Sequence, residues 1–98
     1  MELLKEIIVV YDISQNKSRT KLFKALKNTG LENIQDSVFW GRVNEAEKRS
    51  IQRLFREHLN KETDRAFILE TKLSSQIKLT GFGYGDGRQF DEELFYIA

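Results

Sequence analysis

Ninety-eight residues, 40% hydrophobic and 11% aromatic, describe one compact domain and exclude both a disordered chain and a multidomain enzyme. The absence of cysteine excludes disulfides and thiolate metal sites, and the single histidine, His58, argues against a histidine-built zinc centre. The net charge of +1 hides an uneven distribution: Lys17, Arg19, Lys21, Lys24 and Lys27 fall between Ile13 and Leu31 without one acid, leaving the rest of the chain net negative. Such asymmetry points one face at an anionic partner, although charge alone is met as well by a solvated, lysine-lined helix.

In chain order, the β-branched run Ile7–Tyr11 predicts a strand from Lys5 to Asp12 that is apolar on both faces. It is too short for a signal-peptide core or a membrane span, so a soluble, cytoplasmic protein without membrane contact is expected. Asn16 is placed to cap a helix over Lys17–Asn28. Leu22, Ala25, Leu26 and Thr29 form its stripe, and Gly30 its stop. Ile34, Val38 and Trp40 alternate with Gln35, Ser37 and Phe39, which predicts a second strand broken by Gly41, with Arg42 and Val43 opening a third. Asn44 with Glu47 resembles a capping box ahead of a second helix whose apolar stripe is Ile51, Leu54, Phe55 and Leu59, with His58 on the surface at its end. A fourth strand is expected over Arg65–Leu73, with Phe67, Leu69 and Thr71 on one face and Ala66 and Ile68 on the other.

This order is βαββαβ, an α+β ferredoxin-like sandwich. Two helices cover one face of such a sheet, yet the first strand is apolar on both. A second copy of the chain is the simplest cover, so a symmetric homodimer is expected, sheet against sheet. No linker or repeat divides the chain, and residues 1–98 read as a single domain in which 74–98 form a C-terminal extension. Within it, Ile77–Thr80 could form a fifth strand and Gly81–Gly87 a flexible turn; the loop lacks the lysine of a phosphate-binding P-loop. Phe90 and Leu94–Ile97 are apolar enough to dock, for which the dimer partner's sheet edge is the expected place.

Several of these residues form an ordered set: Val10-Tyr11-Asp12-Ile13-Ser14, Arg19 seven residues after Asp12, Gly30-Leu31, and Ile34-Gln35-Asp36-Ser37-Val38-Phe39-Trp40-Gly41. The set resembles the CRISPR-associated Cas-two (Cas2) family over roughly residues 5 to 70. Some members carry an arginine where this chain has Lys21, and another where it has Asn33. The resemblance implies a metal-dependent endonuclease acting on RNA or DNA phosphodiesters. It also implies a dimeric scaffold holding duplex DNA beside the Cas-one integrase during spacer acquisition. A VapD-like RNase toxin and a non-catalytic ferredoxin-like binding module are the alternatives on the same fold.

Asp12 ends the first strand, where a lone carboxylate is ordinarily a turn or cap residue. If two first strands meet near a dimer axis, two Asp12 carboxylates can share Mg2+ or Mn2+, and the resemblance assigns Asp12 this metal and catalytic role. Arg19 is the second catalytic candidate, its guanidinium fork being matched to phosphate oxygens. Nucleic acid, duplex DNA or single-stranded RNA, is expected along Lys17, Arg19, Lys21 and Lys24 on the first helix and Arg49, Arg53 and Arg56 on the second. Tyr11, Ser37 and Phe39 are supporting candidates, each with a competing structural role: a core aromatic, a satisfied hydroxyl and a packing residue.

Overall fold

The computed structural model describes residues 3–72. Its elements are β1 (Lys5–Asp12), α1 (Asn16–Asn28), β2 (Glu32–Gln35), β3 (Val38–Val43), α2 (Glu45–His58) and β4 (Arg65–Glu70). The strands form one antiparallel sheet in the order β2-β3-β1-β4, the ferredoxin-like arrangement expected from the sequence. β1 is central, bonded on one side to β3 and on the other to β4, where Val10 faces Phe67 and Asp12 faces Arg65.

Both helices lie on one face. Ile7, Val9 and Tyr11 point toward them and are buried with Leu22, Leu26, Phe39 and Ile51, while Phe23, Leu54, Phe55, Ala66 and Ile68 close the periphery. Each fully buried aliphatic side chain stabilises the fold by about 1.5–3 kcal/mol. On the opposite face, Ile34 and Trp40 form a smaller cluster with Ile8 and Val38. Beside it Phe67 and Leu69 remain 45% and 49% exposed. Ile8 and Val10 on this face are only partly covered.

Local chemistry explains most boundaries. At α2 the capping box is complete: the Asn44 side chain accepts from the Glu47 N–H, and the Glu47 carboxylate accepts from the Asn44 N–H. α1 begins one residue earlier than expected, with Gln15 at its extended cap position, so Asn16 is helical and is not the cap. Its side-chain oxygen accepts instead from the Arg19 guanidinium, one turn on. Gly30 ends the helix at φ +94°, a conformation that favours glycine.

Two strand boundaries differ from expectation. The second strand is not broken at Gly41; it is broken at Asp36–Ser37, where Ser37 takes φ +61° in a tight turn between β2 and β3. Asn33 braces the irregular register there, its amide donating to the carbonyls of Gln35 (2.8 Å) and Val38 (3.1 Å). Gly41 lies inside β3, opposite Ile7, because the Leu31 side chain occupies the space a Cβ would need. β4 ends at Glu70, with Thr71 still donating to the Glu6 carbonyl. The expected fifth strand, the glycine-rich turn and the docking tail lie outside the described residues.

Gly41→Ala should therefore cost about 1–3 kcal/mol through overpacking of a closed core. Urea denaturation of Gly41→Ala should show the loss, and Leu31→Ala in the same chain should leave Gly41→Ala with little further effect.

Candidate active site and basic surface

β1 divides the candidate residues by its alternation. Tyr11 faces the helices and is buried, whereas Asp12, one residue on, is exposed on the helix-free face with Ile8 and Val10. The Asp12 carboxylate makes no hydrogen bond or ion pair among the described residues. It is a hard oxygen donor available to a cation. Among the described residues there is no group of three or more potential ligands that would complete such a site. Asp12 stands at a strand end on a sheet face that the described residues leave partly open.

Arg19 belongs to a different surface. With Tyr11, Thr20, Phe23, Lys24, Asp36 and Ser37 it lines an open groove of about 480 Å³. Burial pushes the Tyr11 hydroxyl above its ordinary range, opposed by the Arg19 charge and reinforced by Asp36. The phenol thus stays a neutral donor at physiological pH. Arg19 Nε is buried and has no hydrogen-bond partner among the described residues, so it is a donor open to a ligand or water. Asp12 and Arg19, the two catalytic candidates, are accordingly separated: one faces away from the helices, the other lines the groove on their side.

Of the supporting candidates, Tyr11 and Ser37 border this groove. Phe39 is fully buried, stacked on Tyr11 with centroids 6.3 Å apart and edge-on to Phe23 at 5.2 Å, a packing role out of reach of a ligand. Lys17, Lys21 and Lys24 are exposed along α1, and Arg49, Arg53 and Arg56 along α2, the two helices that cover one face of the sheet. Asn33 is occupied in the hairpin and Lys21 is a surface lysine.

Two residues escaped the sequence reading. Asp36, in the β2–β3 turn, supplies the groove's only carboxylate among the described residues. Asp64 ties the loop after β1 to the entry of β4. Its Oδ1 accepts from the Ser14 N–H and hydroxyl, both at 3.0 Å, and its Oδ2 accepts from the Asn60 N–H at 2.9 Å. An Asp followed by a strand is too common a pattern to have revealed this, since the partner lies 50 residues away.

A model of the family described as CRISPR associated protein Cas2 matches residues 5–77. The chain belongs to the Cas2 family. A relative from Francisella tularensis subsp. novicida, named CRISPR-associated endoribonuclease Cas2 1, is 43% identical over 86 residues, 88% of each chain. Another from Korarchaeum cryptofilum, named CRISPR-associated endoribonuclease Cas2, is 32% identical over 82% of this chain and 91% of its own. Among solved structures, a hypothetical protein from Thermus thermophilus superposes with a TM-score of 0.66 at 30% identity, over 70% of this chain and 83% of that one. Cas2 of Streptococcus pyogenes shares the fold, with a TM-score of 0.67 at 22% identity over 80% and 99% of the two chains.

The hydrogen bonds around Asp64 hold its carboxyl below the usual carboxylate range, the Asn60 and Ser14 N–H groups contributing most. A carboxyl depressed in the folded state adds stability above its unfolded pKa, and that stability is lost as pH falls through the folded value. Asp64→Asn should therefore lower stability at neutral pH and flatten the decline of stability below about pH 4, in urea titrations across pH.

Proposed function

We propose that this Cas2 family member is an endonuclease that hydrolyses RNA or DNA phosphodiesters at a centre formed by two Asp12 carboxylates in a homodimer. The observation that carries the reading is an exposed carboxylate at the end of β1 with no partner among the described residues, on a sheet face whose apolar residues Phe67 and Leu69 stand half exposed. A second copy covering that face would bury this apolar surface and bring a second Asp12 toward the first. The names of the Francisella and Korarchaeum relatives, both endoribonucleases, support the same class of reaction.

The donor set suits Mg2+ or Mn2+, which bind hard oxygens and retain several waters. When bound there, such an ion would polarise a phosphoryl oxygen and acidify an attacking water. This chain's own contribution is threefold. Asp12 holds the cation with charge, which a neutral amide does poorly. The Ser14–Asp64 bonds hold the loop that follows Asp12. The groove, with the Tyr11 hydroxyl and the Arg19 guanidinium as donors, binds a phosphate of the strand away from the reacting bond.

The same dimer would hold duplex DNA on the stripes Lys17, Lys21, Lys24 and Arg49, Arg53, Arg56, beside the Cas-one integrase in spacer acquisition. Such contacts position backbone without reading bases.

Asp12→Asn should reduce metal-dependent cleavage of a single-stranded RNA at least 100-fold, on the order of a lost transition-state contact, while circular dichroism stays unchanged. Sedimentation should give twice the 11.5 kDa chain mass for both proteins. Cleavage by Asp12→Asn at the wild-type rate, or a monomer, would refute the shared-carboxylate centre.

Duplex binding should be electrostatic. For about six neutralised phosphates, log affinity should fall against log salt with a slope of about −5, and changing Lys17, Lys21 and Lys24 to Ala should make the slope shallower. Binding that ignores salt would place the DNA elsewhere.

A further inference from the structure

Separation of Arg19 from Asp12 leaves the proposed centre without the cation expected to stabilise the reacting phosphate. The sheet register supplies another. Asp12 pairs with Arg65 across the β1–β4 ladder, and directly opposed residues of an antiparallel pair project on the same face with Cβ atoms about 4.5–5.5 Å apart. The pattern of β4 agrees: Ala66 and Ile68 pack into the helix-side core, so Arg65, Phe67 and Leu69 share the face that carries Asp12. Arg65 is exposed and makes no hydrogen bond or ion pair with its side chain among the described residues. Arg65 also borders the cleft between the end of α2 and β4, beside Arg56 and Lys61.

The positions of both residues are held by one device. Asp64, adjacent to Arg65, accepts from the backbone and hydroxyl of Ser14, two residues after Asp12, and from the Asn60 N–H. The end of β1 and the start of β4 are thus fastened together where the two side chains emerge, without either being consumed by the fastening. A carboxylate and a guanidinium kept side by side and unpaired suit a ligand that carries both a cation and an anion, as a metal-bound phosphate does.

We infer that Arg65 is the phosphate-contacting cation of the Asp12 centre, donating to a non-bridging oxygen of the phosphodiester whose bond is broken. The inference rests on the reading of Asp12 as the metal-binding carboxylate. In that arrangement Arg65 neutralises charge on the phosphate as water adds and the leaving oxygen departs, while Arg19 binds the strand elsewhere. One P–O bond forms from water and the P–O bond to the leaving oxygen breaks; the water's proton passes to solvent and the leaving oxygen takes one from solvent, so Arg65 exchanges no proton and its guanidinium stays charged throughout.

Cleavage of a single-stranded RNA oligonucleotide by the full chain with Mn2+ tests this. Arg65→Ala should lower kcat about 100-fold with KM little changed, at unaltered circular dichroism and dimer mass, and should still bind Mn2+. Arg19→Ala should instead act mainly on KM. Arg65→Lys should recover part of kcat, and guanidinium ion added to Arg65→Ala should restore some activity, which a merely structural role would not allow. Wild-type kcat in Arg65→Ala alongside an inactive Asp12→Asn would overturn the role of Arg65 and leave the Asp12 reading standing. Wild-type kcat in both would overturn the two together. Should Arg65→Ala fail to fold, Arg65→Gln decides: it keeps much of the stem and removes the charge, so undiminished kcat would overturn the role of Arg65, and a loss of kcat restored in part by Arg65→Lys would support it.

Discussion

The structure depends on one strand. β1 bonds to both β3 and β4, is apolar on both faces, and among the described residues has helices on one face only. Ile7, Val9 and Tyr11 bury completely or nearly so beneath α1 and α2, and this burial holds the helices on. Ile8 and Val10 look the other way, toward a face where Trp40 and Ile34 form a small cluster and Phe67 and Leu69 stand half in water. A sheet with a hydrophobic inner layer and an outer layer that the described residues leave half exposed is stable enough to fold and suited to pairing. The proposed dimer is the direct consequence of that imbalance.

Because side chains alternate, the same strand also sorts chemistry. One step along β1 separates Tyr11, whose hydroxyl serves the groove with Arg19 and Asp36, from Asp12 on the opposite face. In the proposed nuclease such separation would keep the strand-binding cations from competing for the carboxylates proposed to hold a metal. It also sets a limit on reading roles from adjacency, since neighbours in a strand are the residues least able to act on the same atom.

Short polar side chains do much of the fastening, and each is spent on backbone. Asn44 caps α2, Asn33 braces the β2–β3 hairpin and Asp64 joins two loops. Their polar groups are satisfied, as a compact small domain requires. Asp12 and Arg65 stand apart from this pattern. Both occur at strand ends where a cap or a turn would ordinarily claim them, and neither is claimed among the described residues.

Local patterns in the chain determined the element order, the capping box at Asn44, the apolar stripes of both helices, the basic residues on their outer surfaces and the placement of Asp12 at a strand end. All depend on residues within a turn or two of each other, where period and propensity act directly. Tertiary structure decided the rest. Gly41 looked like a strand break because glycine usually is one; only the Leu31 side chain packed over it explains why it sits inside β3. The break fell instead at Ser37, whose left-handed φ no composition rule demanded. Asp64 meets Ser14, and Arg65 faces Asp12, across some fifty residues of chain. Sequence can show that both are charged, but the partner of each is chosen by sheet register, and register is set by how β1, β3 and β4 together bury one face.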